Sequence, residues 1–207
     1  MIVSRHKNFI FIANVKSASS SIERCLAKYA DIHIKTTRCG KHMSIREAHR
    51  LILGYWPQRY LGKPADLFSF GVLRTPLSWA LSLYNSHTRP VFANTPADTS
   101  NKKFDEFLEN SFLRRSNKPW QLRPQYLRFV NAQGRPKMDF LIRYEKLNSD
   151  FRVVRNHLGL RVYLPHVNRS PKKIQAHQVS EKARQLIETA YSGDYEFYEK
   201  YTGRLLR

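Results

Sequence analysis

Residues 8–24 read NFIFIANVKSASSSIER. An apolar run, Phe9 to Val15, stops at Lys16. Small residues follow from Ser17 to Ser21, and then Ile22, Cys25, Leu26 and Tyr29 recur at helical spacing. The pattern predicts a buried strand over residues 8–15, a tight loop, and a helix over residues 20–30. A chain passing from a strand into a helix leaves the first backbone N–H groups of the helix without partners. With the helix dipole, those donors form a seat for an anion. Small side chains let the backbone close around it, serine hydroxyls add donors, and Lys16 brings a positive charge. A Walker A loop meets the same need with G-x-x-x-x-G-K-[ST]. This loop has no glycine, and its lysine comes first.

The arrangement occurs again downstream. DLFSFGVLR (66–74) reads as a buried strand ending on a cation, Arg74, and Pro76 opens a helix running to Asn85. Ser82 stands about two turns into that helix. The arginine fork and the serine hydroxyl can reach one phosphate, while Trp79 is expected in the core. MDFLIRYEKL (138–147) opens with a third strand, and Asn148 is the expected cap of a helix closed by Gly159. Ser44 and Glu47 form a capping box for a helix over 44–54, Ile32 to Thr36 reads as a short strand, and residues 180–191 as an amphipathic helix. Between His87 and Lys103 lies a polar loop with Pro90 and Pro96, expected to act as a lid or substrate loop. Strands alternating with helices predict an α/β fold, three layers α/β/α around a mainly parallel central sheet. No repeat or linker divides the chain, so residues 1–207 read as one domain. Ligands of such sheets bind beyond the carboxyl ends of the strands, where Lys16 and Arg74 both fall.

Lysine and arginine total 36 against 16 acidic residues, a formal net charge of +20. That excess points to an anionic partner: nucleic acid, an acidic lipid surface, or a phosphate- or sulfate-bearing ligand. The apolar fraction of 42% excludes a disordered chain. No run is long enough for a membrane span, and no signal peptide is expected. Cys25 is expected in the core and Cys39 in a loop; the pair forms neither a metal spacing nor a disulfide framework, which makes a reducing cytoplasm the expected location.

VKSASSSI (15–22) resembles the 5′-phosphosulfate loop of sulfotransferases that use 3′-phosphoadenosine 5′-phosphosulfate (PAPS), above all the carbohydrate-modifying, bacterial type. Arg74, Pro76, Ser82 and Tyr84 are similar to the family's 3′-phosphate motif, with departures at Thr75 and Trp79. The resemblance implies a P-loop-NTPase-like sulfotransferase fold. It implies that Lys16, Ser17, Ala18, Ser19, Ser20, Ser21 and Ile22 hold the 5′-phosphosulfate, through the backbone N–H groups of Ala18 to Ile22 and the serine hydroxyls. Arg74 and Ser82 would hold the 3′-phosphate. KHMSIREA (41–48) matches a segment whose histidine serves related enzymes as a base, which makes His42 the candidate base and acceptor contact. LPHVNRSPKKI (164–174) resembles a loop that closes over the nucleotide, with Asn168, Arg169, Ser170, Lys172 and Lys173 as cofactor contacts. RPQYLRF (123–129) matches another family segment, with Gln125 as an acceptor contact.

The implied reaction moves a sulfuryl group from PAPS to an acceptor hydroxyl and leaves 3′,5′-adenosine bisphosphate (PAP), with no metal. His42 takes the proton and Lys16 stabilises the leaving phosphate. The implied acceptor is a glycan or glycolipid, with peripheral contact to an anionic membrane surface compatible with the charge. Two rivals stand beside it. A basic nucleic-acid-binding protein is suggested by the charge and by Tyr55, Trp56, Arg59 and Tyr60, or by the basic-aromatic region 112–129, although no specific nucleic-acid motif is present. A small-molecule kinase of related fold would need the missing Walker pattern.

Overall fold

The computed structural model describes residues 1–36, 41–55, 66–113, 123–165 and 173–206. Five strands form one sheet in the order β3-β1-β2-β4-β5. They are β1 (Ile2–Ser4), β2 (Phe9–Ile12), β3 (Ile32–His33), β4 (Phe68–Leu73) and β5 (Phe140–Arg143). β2 pairs parallel with β4, and β4 with β5. β1 runs against both of its neighbours, so four strands point one way and one opposes them. The expected mainly parallel sheet is present, with an amino-terminal hairpin added. Asn8 turns that hairpin at φ 52° and donates its N–H to the Arg5 carbonyl (2.9 Å).

Alternation along β2 divides the core. Ile10 and Ile12 face one side, Phe9 and Phe11 the other, and all four are fully buried. Ile10 and Ile12 meet α2 (Ile45–Tyr55) and α7 (Ser192–Tyr201). Phe9 and Phe11 meet α1 (Ser19–Leu26) and α5 (Leu147–His157). The result is the expected three-layer arrangement. A third apolar cluster gathers α3 (Pro76–Ser86), α4 (Phe104–Leu113) and α6 (Glu181–Ala190) around Trp79. The Trp79 indole has no exposed surface, and its Nε1–H donates to the Val15 carbonyl (3.2 Å), which fixes this cluster to the end of the first parallel strand.

The local signals match with small shifts. The Ser44–Glu47 box closes both ways: Ser44 N–H donates to Glu47 Oε2 (2.6 Å) and Glu47 N–H to Ser44 Oγ (3.3 Å). α2 runs to Tyr55, one residue beyond Gly54. Lys146, not Asn148, caps α5, because a 3-10 turn over Tyr144–Lys146 starts the helix earlier. Gly159 ends that helix at φ 60°. β2 stops at Ile12 rather than residue 15, and at Asn14 it is the side-chain amide that bonds the Val72 carbonyl of β4 (3.2 Å). Burial pushes the Cys25 thiol up to about 12, as befits a packed cysteine; Cys39 lies outside the described residues. Among the described residues no helix is long and apolar enough to cross a membrane.

Candidate active site

The carboxyl ends of β2 and β4 open into a cleft of about 950 Å³. The first wall is the loop after β2. Lys16 and Ala18 both lie at φ 56°, in the left-handed region. A side chain there is strained, and a small one at position 18 keeps the loop narrow. Ser17 turns inward: its hydroxyl donates to the Asn14 carbonyl (3.0 Å). The amides of Ser21 and Ile22 are already engaged by the Ala18 carbonyl (3.0 and 3.2 Å), and Ile22 is core. Backbone donation to a ligand therefore falls to the earlier part of the loop. Ser19, Ser20 and Ser21 line the cleft.

The second wall is the junction after β4. The Arg74 guanidinium makes three contacts. Nε donates to Ser78 Oγ (2.7 Å), Nη1 donates to the Lys16 carbonyl (3.0 Å), and the plane lies 3.9 Å from the Tyr144 ring centre. The two strand-to-helix junctions are thus joined by a direct hydrogen bond. Ser82 lines the same cleft. Ser78 and Tyr144 were not singled out from the sequence. Ser78 could have been, since it stands in the first turn of the helix that Pro76 opens, directly after Arg74; Tyr144 comes from the end of another strand and carries no local signal. Thr75, a departure from the family pattern, donates its N–H (3.1 Å) and hydroxyl (2.9 Å) to Glu145, whose other oxygen accepts from Tyr198 (2.8 Å).

The charges in this space are unbalanced. Lys16, Lys41, His42, Arg74 and Arg89 line the cleft, and no acidic side chain does so among the described residues. Lys41 is neutralised by Glu23 (2.6 Å). Burial, with the Arg89 and Arg74 charges, brings the Lys16 ammonium down to about 8. His42 Nδ1 bonds the Ala13 carbonyl (3.2 Å), which assigns the proton to Nδ1 and leaves Nε2 as the basic nitrogen. Burial lowers this imidazole to about 4, the Lys41 and Arg128 charges push the same way, and the Ala13 bond opposes them. The ring is neutral at pH 7, as a proton acceptor must be.

Other expected contacts lie elsewhere. Gln125 is fully buried behind the cleft wall. Its Nε2 donates to the Arg74 carbonyl (2.9 Å), and its Oε1 accepts from Asn14 Nδ2 (3.0 Å). It cross-links the two junctions and cannot touch an acceptor. Lys173 Nζ caps the carbonyls of Thr99 (3.0 Å), Ser100 (2.6 Å) and Lys102 (3.2 Å), away from the cleft. Through that contact the expected lid, residues 87–103, is pinned to the returning chain. Asn168, Arg169, Ser170 and Lys172 lie outside the described residues, as do Trp56, Arg59 and Tyr60.

No curated protein and no solved structure matches the chain significantly. A family model does. It covers residues 1–202, both cationic junctions and all five strands included, and by that match the chain belongs to the sulfotransferase family.

Proposed function

We propose that this sulfotransferase takes the sulfuryl group from PAPS and delivers it to an acceptor hydroxyl, most suitably on a carbohydrate or glycoconjugate. The observation that carries the reading is the Arg74 Nη1 to Lys16 carbonyl hydrogen bond (3.0 Å), which joins the two cationic junctions in one cleft that no acidic side chain lines among the described residues. A donor with phosphate at two positions needs two such cradles at fixed separation. Arg74, Ser78 and Ser82 suit the 3′-phosphate, with a fork and two hydroxyls. The loop from Lys16 to Ser21 suits the 5′-phosphosulfate.

PAPS supplies an activated sulfuryl group whose S–O bond to the 5′-phosphate breaks as the bond to the acceptor oxygen forms. The residues of this chain have the remaining tasks. His42 Nε2 accepts the hydroxyl proton. The Lys16 ammonium faces the oxygen that keeps the electron pair of the broken bond, and offsets its charge. Positioning does most of the work, as in phosphoryl transfer. His42 at about 4 is a weak base in the free chain. Donor negative charge nearby raises its proton affinity, so the base strengthens when the reaction needs it.

The test has two arms. PAP should raise the melting temperature saturably, and incubation with PAPS and glycan pools should yield a product heavier by one sulfate in mass spectrometry. If PAP gives no stabilisation while DNA binds with steep salt dependence, the donor reading is wrong.

A further inference from the structure

α3 and the chain just beyond it carry one polar stripe. Ser78, Ser82 and Asn85 follow at intervals of four and three, which on a helix places them in a line, and Arg89 stands three residues past the end of that helix. All four line the cleft. Ser78 holds Arg74, and Ser82 stands next along the same face. Asn85 pins the returning chain: Oδ1 accepts from the amides of Lys173 (3.0 Å) and Ile174 (3.1 Å), and Nδ2 donates to the Ile174 carbonyl (2.9 Å). Arg89 has no such account.

The position of Arg89 is built rather than accidental. Its Nε donates to the Ser86 carbonyl at the end of α3 (3.1 Å), and its guanidinium lies 5.8 Å from the Phe92 ring centre. The loop that carries it is closed by Thr99, whose hydroxyl donates to the Tyr84 carbonyl (2.8 Å). Those contacts engage one edge of the fork. Among the described residues no carboxylate pairs with it. Lys16 lines the same cleft as both arginines. Its carbonyl is held by Arg74, and the charges of Arg89 and Arg74 both weigh on its ammonium. Arg89 follows the end of α3 by three residues on extended backbone (φ −73°, ψ 149°), so it enters the cleft from the loop and not from the helix face. The cleft thus carries Arg74 with Ser78 and Ser82 on its α3 side, Arg89 beyond the far end of that helix, and Lys16 on the loop after β2. Among the described residues no acidic side chain lines this space, so an anion that enters it meets positive charge on both sides.

We propose that Arg89 is a further catalytic residue, whose terminal nitrogens donate to the non-bridging oxygens of the transferring sulfuryl group while Lys16 faces the bridging oxygen. The proposal rests on the PAPS reading above. A planar fork suits those oxygens because they stay charged throughout the transfer, and a donor pair can follow them without changing partners. Arg89 forms and breaks no covalent bond.

PAP lacks the sulfuryl group and PAPS carries it, so the two nucleotides separate the roles. Affinities of both for the full chain are measured by titration calorimetry on ice-cold, freshly mixed PAPS without acceptor. Arg89→Ala should weaken PAPS about tenfold or more, the scale of a charge-assisted contact, and leave PAP nearly unchanged. Unchanged PAP binding also shows that the variant is folded. Arg89→Lys should recover part of the PAPS affinity. Arg74→Ala should weaken both nucleotides alike. Equal losses for PAP and PAPS in Arg89→Ala, or no loss for either, overturn the proposal. A wild-type chain that binds neither nucleotide overturns the PAPS reading and the Arg89 role with it.

Discussion

Replacing Gln125 by leucine tests whether the two cradles are held at a set separation by one buried amide. The side chain touches no ligand space, so every effect must travel through its partners. In the native chain Asn14 Nδ2 donates to both Val72 O (3.2 Å) and Gln125 Oε1 (3.0 Å), and Gln125 Nε2 donates to the Arg74 carbonyl (2.9 Å). Leucine leaves one N–H of Asn14 and one lone-pair site of Arg74 without a partner. Each buried orphan costs about 1–3 kcal/mol, so the loss should total about 2–6 kcal/mol, a large share of the stability of a domain. The backbone of residue 125 stays anchored, because its N–H and that of Tyr126 donate to Asp194 (2.9 and 2.8 Å). The variant should therefore fold, with a lower urea midpoint. Urea unfolding with and without saturating PAP is the assay. Because the orphaned groups sit directly behind Lys16 and Arg74, PAP affinity should fall along with stability. Gln125→Glu adds a sign. A carboxylate facing the Arg74 carbonyl is repelled, while the protonated acid can donate to it, so this variant should regain stability as pH falls. A Gln125→Leu chain with native urea midpoint and native PAP affinity would refute the clamp.

Arg74→Ala removes the fork from Ser78 and from the Lys16 carbonyl, and should weaken PAP by about 10–100-fold, the scale of a charged hydrogen-bond pair, read by calorimetry. Lys16→Ala should abolish turnover from PAPS while circular dichroism stays native. With Lys16 at about 8 in the free chain, PAP affinity should hold below that pH and decline above it, since the ammonium must regain a proton to bind; Lys16→Arg should remove the decline. His42→Ala should lose turnover and keep PAP binding. In the native chain the acid limb of kcat/KM should lie below 6.5, toward about 4, and the limb of kcat should lie higher, because bound donor raises the imidazole. Gly71→Ala places a Cβ 2.5 Å from Phe129 Cε1, and should lower stability by about 1–3 kcal/mol from overpacking, visible as a lower melting temperature.

Much of the site was legible in the linear chain because it is local. An apolar run that stops at Lys16 or Arg74 and passes into a helix marks its junction within about ten residues, and the Ser44–Glu47 cap and Gly159 stop obey rules of one helical turn. The errors share a cause. Gln125 and Lys173 are polar residues in segments without periodicity, and nothing local distinguishes a side chain aimed at a ligand from one aimed at a distant carbonyl. The hairpin partner Ile2–Ser4 was missed because three residues are too few to show alternation.

The sequence by itself determined the α/β class, the two cationic junctions and the residue types that stand at them. Those follow from periodicity and from chemistry carried by single residues. Only the tertiary structure decided that the junctions meet through Arg74 and the Lys16 carbonyl, that Ser78, Tyr144 and Arg89 join them, and that Gln125 stands behind the wall. Parallel pairing of β2 with β4 brings together residues 58 apart in the chain, and no local rule of propensity or spacing contains that distance.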